Sequence, residues 1–418
     1  MNAAAVDGPE TNDTAGNGPG MNDTAGNGSG TNSAPARSIV LGAFLKPAGE
    51  YLAGWRHPGA PVDAGVNLPF VVGLVRKLEA AGFDALFLPD LVGVPDADPA
   101  VLSRVAVVND AFEPTTLLGA LATSTTRLGL IASVSSTYSS PAAVAQTFAS
   151  LARLSGGRAG WNLVTSLNDA EARNFGLDSH LSHAERYARA EAFVDEVLAL
   201  WAADELPGGN PIIAQAGSSG PGQALAARVA DLVFTRALPL SQAISYANGL
   251  REAAEGFGRS PEAIRILPEL ATVVAPTRAE AEDRFAAIRD LLHPRVALGD
   301  LEYWLGGVDL TGFPLDGPLP ETPPGNKSLG ARQEIYEQAM RDHLTIGDLA
   351  KQVAGGDGAI IGTAADVADH VEEFVAAGAA DGFNVSFPYL PDTLDAFCEL
   401  VIPELRRRGL LAAPRPRH

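Results

Sequence analysis

Polar residues that could take part in chemistry stand directly after two short apolar runs of the sequence. Asp90 ends the run FDALFLPD, and the hydroxyls of Ser135, Ser136 and Thr137 follow the apolar run at 128–134. Side chains at the carboxyl ends of parallel strands form the active sites of α/β enzymes. Asp90 is therefore either a carboxylate that caps the following loop or a site residue. The hydroxyls either satisfy backbone groups of their loop or hydrogen-bond the edge of a ligand.

An imidazole and a phenol are expected on one face of a helix. The sequence HAERY at 183–187 opens a predicted helix, and His183 and Tyr187 are four residues apart in it. Residues at this spacing lie next to each other on a helix surface. The pair is compatible with a functional site, and the same spacing is common where the end of an amphipathic helix packs on the protein surface.

A loop rich in glycine and serine precedes the next predicted helix. Ser218 and Ser219 lie between Gly217 and Gly220, and Pro221 occupies a favourable first position of a helix. Free N–H groups, serine hydroxyls and the positive end of the helix dipole then converge on one point, which can bind a phosphate without any lysine. The alternative is an ordinary helix capped by a single serine.

Other patterns carry less information about chemistry. His57 in the sequence WRHP is either a catalytic or pocket residue near the first strand or a histidine that satisfies a loop. The sequence lacks GxxxxGK[ST], GxSxG, HExxH and a GxGxxG after a strand, and its seven histidines do not cluster at metal-ligand spacing. We therefore predict no metal site and no P-loop, esterase or Rossmann-type dinucleotide site.

Repeated βα units must position these residues. From Ser38 onward, short apolar runs alternate with stretches of helical period rich in alanine and leucine. The pattern predicts helices at 114–124, 141–154, 183–201, 223–230 and 279–292, among others. Eight parallel strands separated by helices favour a (β/α)8 TIM barrel over an open doubly wound sheet. The predicted strands are 39–45, 85–89, 128–134, 159–164, 211–215, 232–235, 266–274 and 383–387.

One interval interrupts the rhythm. Between about 293 and 363 the sequence becomes rich in glycine and proline, with GGVDLTGFPLDGPLPETPPGNKSLG at its centre. Long loops at the carboxyl end of a barrel often carry lids and substrate contacts. We predict a lid-like insertion over the active site near 293–345, and the alternative is an exposed loop without function.

Composition excludes several classes of partner. The 418 residues carry 30 Lys and Arg against 50 Asp and Glu, a formal net charge of −20. This acidic excess would be repelled by nucleic acid and by anionic membrane surfaces. No apolar run is long enough to cross a bilayer. The lone Cys398 cannot form an internal disulfide, which suits a reducing cytoplasm.

The first 37 residues differ from the rest of the chain. They contain a near-repeat, TNDTAGNGPG followed by MNDTAGNGSG, and have too few apolar side chains to build a core. No basic start with an apolar centre indicates a signal peptide. We predict a disordered, low-complexity tail over 1–37 and one folded domain over 38–418.

Motifs in a consistent order make the sequence resemble a known family. They include WRHP, FDALFLPD, LSGGRAGWNLVTS, NFG, HAERY, QAGSSG, GVDLTGFPLDGPLP and DGFNV, and the similarity extends from about residue 38 to 410. The chain resembles the nitrilotriacetate, dibenzothiophene-sulfone and long-chain-alkane monooxygenases. These are flavin-dependent, two-component enzymes of the bacterial-luciferase-like superfamily.

The resemblance implies a function. A (β/α)8 barrel would take reduced FMN from a separate NAD(P)H-dependent flavin reductase and react it with O2. A C4a-peroxyflavin or hydroperoxyflavin would then oxygenate a small organic substrate. The resemblance also implies a homo-oligomer, either a dimer or a tetramer. Carried over position by position, the flavin contacts fall on Asp90, Ser136, His183, Tyr187, Ser218 and Ser219, with Ser166 as a further candidate.

Three departures from the family pattern affect these expectations. The connection at 202–210 is much shorter than in many relatives, so a wall built by that segment is missing or replaced. Where several relatives place a histidine after a glycine, this chain has Glu50 and Tyr51, which removes any catalytic role of that histidine. The sequence ends at RGLLAAPRPRH, without a segment that takes part in subunit contacts in relatives.

Two other functions remain compatible with the sequence. An F420-dependent oxidoreductase of the same superfamily would transfer hydride without O2, although GWNLVTS, NFG and HAERY favour the flavin monooxygenases. A non-catalytic flavin-binding protein is the second alternative. The acidic composition disfavours a highly anionic substrate unless the local charge of the pocket overrides the net charge.

Overall fold

A computed structural model describes residues 38–94, 97–106, 111–166, 169–217, 219–321, 329–354 and 358–412. The predicted tail over 1–37 and one predicted flavin contact, Ser218, lie outside the described residues.

Eight parallel strands close into a barrel in the described part of the chain. Going round the barrel, the order is β1, β2, β3, β4, β5, β6, β7, β9 and back to β1, and every pairing is parallel. This confirms the predicted (β/α)8 barrel. The strands are β1 Val40–Phe44, β2 Ala85–Leu88, β3 Gly129–Ser135, β4 Ala159–Val164, β5 Ile212–Gln215, β6 Leu232–Thr235, β7 Arg265–Val274, β8 Ile360–Gly362 and β9 Gly382–Ser386.

Each barrel strand begins and ends within about one residue of its predicted position. The strand β8 was not predicted from the sequence. It lies outside the barrel and pairs with the end of β7 at Thr272–Val274. Its three residues are too few to show a strand period, so the sequence pattern did not predict it.

The helices begin where capping residues precede proline or helix-forming residues. Ser140 and Ser219 each accept a hydrogen bond from a backbone N–H in the first turn of the following helix, and Ser182 forms a capping box with Glu185. The helices are α1 Leu68–Ala81, α2 Pro99–Leu102, α3 Pro114–Ala122, α4 Pro141–Ser155, α5 Asp169–Asn174, α6 His183–Ala202, α7 Gly220–Val229, α8 Leu240–Gly256, α9 Arg278–Arg289, α10 Pro294–Trp304, α11 Leu329–Arg341, α12 Ile346–Ala354, α13 Ala364–Ala376, α14 Asp392–Ala396 and α15 Ile402–Arg407.

Carboxylates organise the amino-terminal end of the barrel. Asp84, Asp231 and Asp381 each stand directly before a strand, and each accepts a backbone N–H from a neighbouring strand at 2.8, 2.9 and 3.0 Å, respectively. Because strand ends leave such N–H groups without a ladder partner, these bonds satisfy groups that would be costly to bury. This face serves stability and leaves the opposite end of the barrel for chemistry.

Two charged side chains hold the loop between α3 and β3. Oε1 of Glu79 accepts the backbone N–H groups of Thr126, Arg127 and Leu128 at 2.7, 2.6 and 3.1 Å. The Arg158 guanidinium donates to the Leu128 carbonyl at 2.7 Å and also to the carbonyls of Ala122 and Thr125. One side chain thus satisfies the donors of the loop and the other satisfies its acceptors.

The interval predicted as a lid-like insertion is largely helical. It contains α10 and α11, and α12 follows it, all between β7 and β9. These helices, with Leu305 and Leu310, bury an apolar cluster of their own, separate from the main core, which holds the described part of the interval together. The cluster comprises Ala297, Leu298, Leu301, Leu305, Leu310, Ile335, Ala339, Ile346, Leu349, Ala350 and Ala354.

The insertion contacts loops at the carboxyl end of the barrel. The Arg295 guanidinium pairs with Asp98 at 3.0 Å, beyond β2. Arg236, beyond β6, pairs with Glu334 of α11, and Arg56, beyond β1, donates to the Leu291 carbonyl just before the insertion. Within the described ranges, no helix has the length and apolar character needed to cross a bilayer.

Candidate active site

Three of the predicted site residues meet where α6 and α7 begin. Nε2 of His183 lies 3.2 Å from Oγ of Ser219. The rings of His183 and Tyr187 are adjacent, with 4.8 Å between their centroids. Ser219 also caps α7, because its hydroxyl accepts the Gly222 N–H at 3.3 Å. The pair predicted on α6 and the loop predicted before α7 therefore form one group of side chains.

Close packing in this group requires glycine at two positions. A Cβ atom on Gly222 would lie 2.8 Å from Oη of Tyr187 and 2.9 Å from Cα of Gly217. A Cβ atom on Gly217 would lie 2.6 Å from the Gln215 side chain. The helix N-terminus, a hydroxyl and a phenol thus lie close together, and this donor set fits a phosphate group.

The surroundings of His183 favour the neutral form of its imidazole. Burial, and then the positive charge of Arg186, hold the pKa of His183 below its ordinary value. A neutral ring has one N–H donor and one acceptor nitrogen, so it can orient the Ser219 hydroxyl. The positive field for an anion comes mainly from the α7 N-terminus.

The hydroxyls after β3 bind the loop after β4. Ser136 is completely buried, and its hydroxyl donates to the Val164 carbonyl at 3.1 Å. Thr137 donates to the Thr165 carbonyl at 2.7 Å, and the hydroxyls of Ser135 and Ser166 lie 2.8 Å apart. The geometry thus shows the first of the two roles considered for these hydroxyls, and the flavin contact of Ser136 stays a prediction.

Ser166 has a left-handed backbone with a φ of 58°. Residues other than glycine adopt this conformation rarely, and such positions cluster at functional sites. Its hydroxyl is held by Ser135, at the end of β3 and close to the barrel mouth. Ser166 therefore stays a candidate for a ligand contact.

Asp90 follows β2 at the barrel mouth and is partly buried. Burial, together with the negative charge of Glu113, raises the pKa of Asp90 to about 6. A carboxyl group with this pKa exchanges its proton close to neutral pH, so Asp90 can either donate or accept a hydrogen bond. Its role as a flavin contact stays a prediction.

His57 packs away from these residues. Its ring lies against Tyr389, with 4.4 Å between the centroids, and Nδ1 accepts the Gly59 N–H at 3.2 Å. Nε2 lies 3.8 Å from a carboxylate oxygen of Asp392. In the described part of the chain, no hydrogen bond or ring contact joins His57 to the other predicted site residues. These contacts match a histidine that satisfies a loop, and its catalytic role stays a prediction.

A group of charged side chains at the mouth was not predicted from the sequence. Lys46 pairs with Glu50 at 2.8 Å beyond β1, and Glu269 of β7 accepts the Ser386 hydroxyl at 2.9 Å. Burial and the charge of Glu50 raise the pKa of Glu269. Burial also raises the pKa of Asp300 on α10 to about 7, although Lys46 opposes the shift. These side chains come from segments that are distant in the chain, so no local pattern could group them.

Asp300 should make stability depend on pH. Since its pKa is raised in the folded state, its contribution to stability falls as pH rises from about 4 to about 7. We expect Asp300→Asn to raise the free energy of unfolding, by about 1–2 kcal/mol more at pH 8 than at pH 5. Because the Asp300 side chain is partly exposed, we expect a smaller difference between the two pH values than its full pKa shift would give. Urea denaturation at both pH values measures the difference.

The control for this measurement is Asp316→Asn, which alters an exposed carboxylate of the same insertion. This variant should change the free energy of unfolding by the same amount at both pH values. If Asp300→Asn changed the free energy of unfolding equally at pH 5 and pH 8, the raised pKa of Asp300 would be contradicted.

The NFG segment connects two mouth loops. Phe175 stacks on Tyr138, with centroids 4.6 Å apart and rings within 8° of parallel, and Tyr138 hydrogen-bonds Nδ1 of His180. Asn174 donates to the Val92 carbonyl at 2.7 Å. The segment around α5 therefore covers the ends of β2 and β3. The sequence contained the motif but did not indicate these partners.

Comparison with known proteins places this geometry in context. The family model described as luciferase-like monooxygenase matches residues 50–381. The chain is 44% identical over 398 residues to one of the subunits of pristinamycin IIA synthase from Streptomyces pristinaespiralis, with 90% of this chain and 94% of that protein covered. It is 37% identical to nitrilotriacetate monooxygenase component A of Aminobacter aminovorans, with coverage of 88% and 92%.

A solved structure agrees with the barrel. The crystal structure of DmoA from Hyphomicrobium sulfonivorans superposes with a TM-score of 0.78 at 27% sequence identity. The superposition covers 90% of this chain and 89% of that one. The similarity therefore extends over most of both chains.

Proposed function

We propose that this chain, which belongs to the luciferase-like monooxygenase family, uses reduced FMN and O2 to oxygenate a small organic substrate. Relatives in this family are monooxygenases, and nitrilotriacetate monooxygenase is named as a component of a larger system. We further propose that an NAD(P)H-dependent flavin reductase supplies the reduced FMN, that the protein works in the cytoplasm, and that it is a dimer or a tetramer.

The observation that carries the proposal is the group formed by His183, Tyr187 and Ser219 at the start of α7. It places a hydroxyl, a phenol and an imidazole together at the start of α7, in a group where glycines allow the backbone and the side chains to approach closely. Such a site binds the phosphate of a mononucleotide. Asp90 and Ser166, at the ends of other strands, would then contact the ring system.

The chain's own residues supply binding, orientation and exclusion of water. When bound, reduced FMN activates O2 for the transfer of one oxygen atom. The α7 N-terminus and Ser219 hold the phosphate end, and His183 orients the Ser219 hydroxyl. Asp90 holds or releases a proton near neutral pH at the opposite end of the site. The α5 segment and the insertion keep water from the mouth.

Cofactor binding and O2 consumption test this proposal. We expect reduced FMN to bind the purified protein anaerobically and to raise its melting temperature. With a flavin reductase, NADH and a mixture of oxidisable compounds, mass spectrometry should find a product heavier by one oxygen atom. Stabilisation by reduced F420 and not by reduced FMN would instead support the F420-dependent alternative. Binding of FMN without any oxygenated product from a broad screen would support the non-catalytic alternative.

The insertion should act as a cover. A Cβ atom on Gly299 of α10 would lie 2.9 Å from Cγ2 of Val101 in α2. We expect Gly299→Val to push α10 away from the loop beyond β2 and to let water reach the site. The fraction of NADH electrons recovered as H2O2 should rise several-fold in a coupled assay.

A matched control exists in the same insertion. Gly312 has open space where a Cβ atom would be placed, so Gly312→Val should leave the H2O2 fraction unchanged. Equal H2O2 release by Gly299→Val and the unsubstituted protein would mean that the contact between α10 and α2 does not protect the site.

A further inference from the structure

We infer that a cavity beside the barrel mouth binds the apolar body of a small uncharged substrate, and that this site excludes polycarboxylates. The inference deepens the proposed function and rests on it. The cavity measures about 290 Å³ and lies between the loop beyond β1 and the segment that follows β2. This volume is near the lower end of the range for ligand pockets, about 300–1,000 Å³, so the substrate is small.

The position of the cavity links it to the reaction. Its inner wall includes Lys46, directly beyond β1, and Leu88 and Pro89, which immediately precede Asp90. None of the described flavin contacts predicted from the family, including His183 and Ser219, lines it. The phosphate-end residues therefore lie outside the cavity, and a ligand in the cavity would lie beside the end of β2 where Asp90 stands.

The lining is mainly apolar. Trp55, Leu88, Phe112 and Leu117 contribute large side chains, and Val62 stands at the fully exposed rim. Burying apolar ligand surface against such side chains is favourable by about 25 cal/mol for each Å² removed from water. A flat or compact hydrocarbon skeleton would gain from each of these contacts, whereas a small hydrophilic anion would not.

The charges at the cavity disfavour anions. Lys46 and Asp63 are the charged side chains among its described lining residues. The Lys46 ammonium is already paired with Glu50 at 2.8 Å, and Glu269 and Asp300 also feel its charge. A tricarboxylate would lose its hydration without finding a free cation, which is costly.

Neighbouring arginines do not change this balance. Arg104 directs its guanidinium to the Ala100 carbonyl at 2.6 Å, and Arg56 donates to the Leu291 carbonyl. The local charge therefore agrees in sign with the acidic composition and does not override it.

Equilibrium dialysis of the flavin-free protein tests the inference with two probes. Dibenzothiophene sulfone is uncharged and largely apolar, and nitrilotriacetate is a tricarboxylate. We expect the sulfone to bind at least about tenfold more tightly, a difference of about 1.4 kcal/mol. Equal or tighter binding of nitrilotriacetate would overturn the inference.

Two variants locate the binding. Ala106 lines the exposed side of the cavity, so Ala106→Phe should fill part of it and weaken sulfone binding about tenfold. Ala279→Phe makes the same change at an exposed position of α9 outside the cavity and should leave binding unchanged. Sulfone binding that resists Ala106→Phe would show that the ligand lies elsewhere.

A third variant tests the charge argument. Glu50→Gln removes the partner of Lys46 and should strengthen nitrilotriacetate binding about fivefold, the effect of one exposed ion pair, while sulfone binding stays unchanged. No gain for nitrilotriacetate would contradict the role given to the Lys46–Glu50 pair. The affinity for reduced FMN, measured in the same preparation, separates failure of the cavity inference from failure of the proposed function.

Discussion

Ser219→Ala is expected to raise the dissociation constant for reduced FMN about 30-fold. The Ser219 hydroxyl lies 3.2 Å from Nε2 of His183 at the start of α7, and in our proposal it donates to the flavin phosphate. A hydrogen bond to a charged group contributes about 1.5–3 kcal/mol, which corresponds to roughly 10- to 150-fold in affinity. Anaerobic equilibrium dialysis with reduced FMN measures the change.

The same substitution also removes a helix cap, and a matched control separates the two effects. Ser140 caps α4 by accepting the Ala143 N–H at 3.3 Å, just as Ser219 caps α7, and both helices have a proline in their first turn. Each Ser→Ala change should lower the free energy of unfolding by about 1 kcal/mol. Only Ser219→Ala should weaken FMN binding. If both variants bind FMN as the unsubstituted protein does, the phosphate site lies elsewhere.

Glu79→Ala is expected to lower the free energy of unfolding by about 3–5 kcal/mol. The substitution leaves the N–H groups of Thr126, Arg127 and Leu128 without their acceptor at a buried position. Glu79→Gln keeps one acceptor oxygen and a similar volume, so its loss should be smaller. Urea denaturation of the two variants and the parent protein measures the difference. Equal loss in both variants would mean that the negative charge of the carboxylate holds the loop, and that a neutral acceptor oxygen on a side chain of the same volume does not.

The pH dependence of this contribution has a definite sign. Burial alone would raise the pKa of Glu79, yet the three backbone N–H groups hold it below its ordinary value. The stabilisation is therefore fully present above the ordinary pKa of a glutamate, about 4.3, and is lost as pH falls through the folded value. The stability difference between the parent protein and Glu79→Ala should shrink under acidic conditions.

Arg158 provides an independent check, because it holds the same loop through the carbonyls. Removing either side chain frees the loop, so the second substitution should lower the free energy of unfolding by less than the first. The combined effect of Glu79→Ala and Arg158→Ala should accordingly be smaller than the sum of the single effects. Additive effects would show that the two side chains stabilise separate parts of the barrel.

The sequence by itself determined the architecture. Barrel strands are short apolar runs, and helices repeat their apolar residues every three to four positions, so both can be recognised within a few residues. Serine shortly before a proline marks the start of a helix in the same local way, as at Ser219 and Pro221. The prediction of eight barrel strands, confirmed to within about one residue, depends on these short-range patterns alone.

The sequence also indicated part of the site. His183, Tyr187 and Ser219 were candidates from helix spacing and cap chemistry, and the structure brings them together. Their grouping follows from the barrel, because closure places the starts of α6 and α7 side by side. The hydroxyl of Ser136 was an equal candidate, and only the tertiary structure shows that it is turned to the Val164 carbonyl.

Contacts between distant segments were decided by the tertiary structure. The clamp of Glu79 and Arg158 joins residues 79 apart in the chain, and the charge of Lys46 beyond β1 acts on Asp300 of the insertion. Such encounters depend on how loops close over the barrel, and loop conformation has no period that a sequence pattern could reveal. The helices of the insertion and their own apolar cluster were likewise decided by the tertiary structure. The sequence thus determined the barrel and the kind of chemistry, and packing across the mouth decided which side chains meet there.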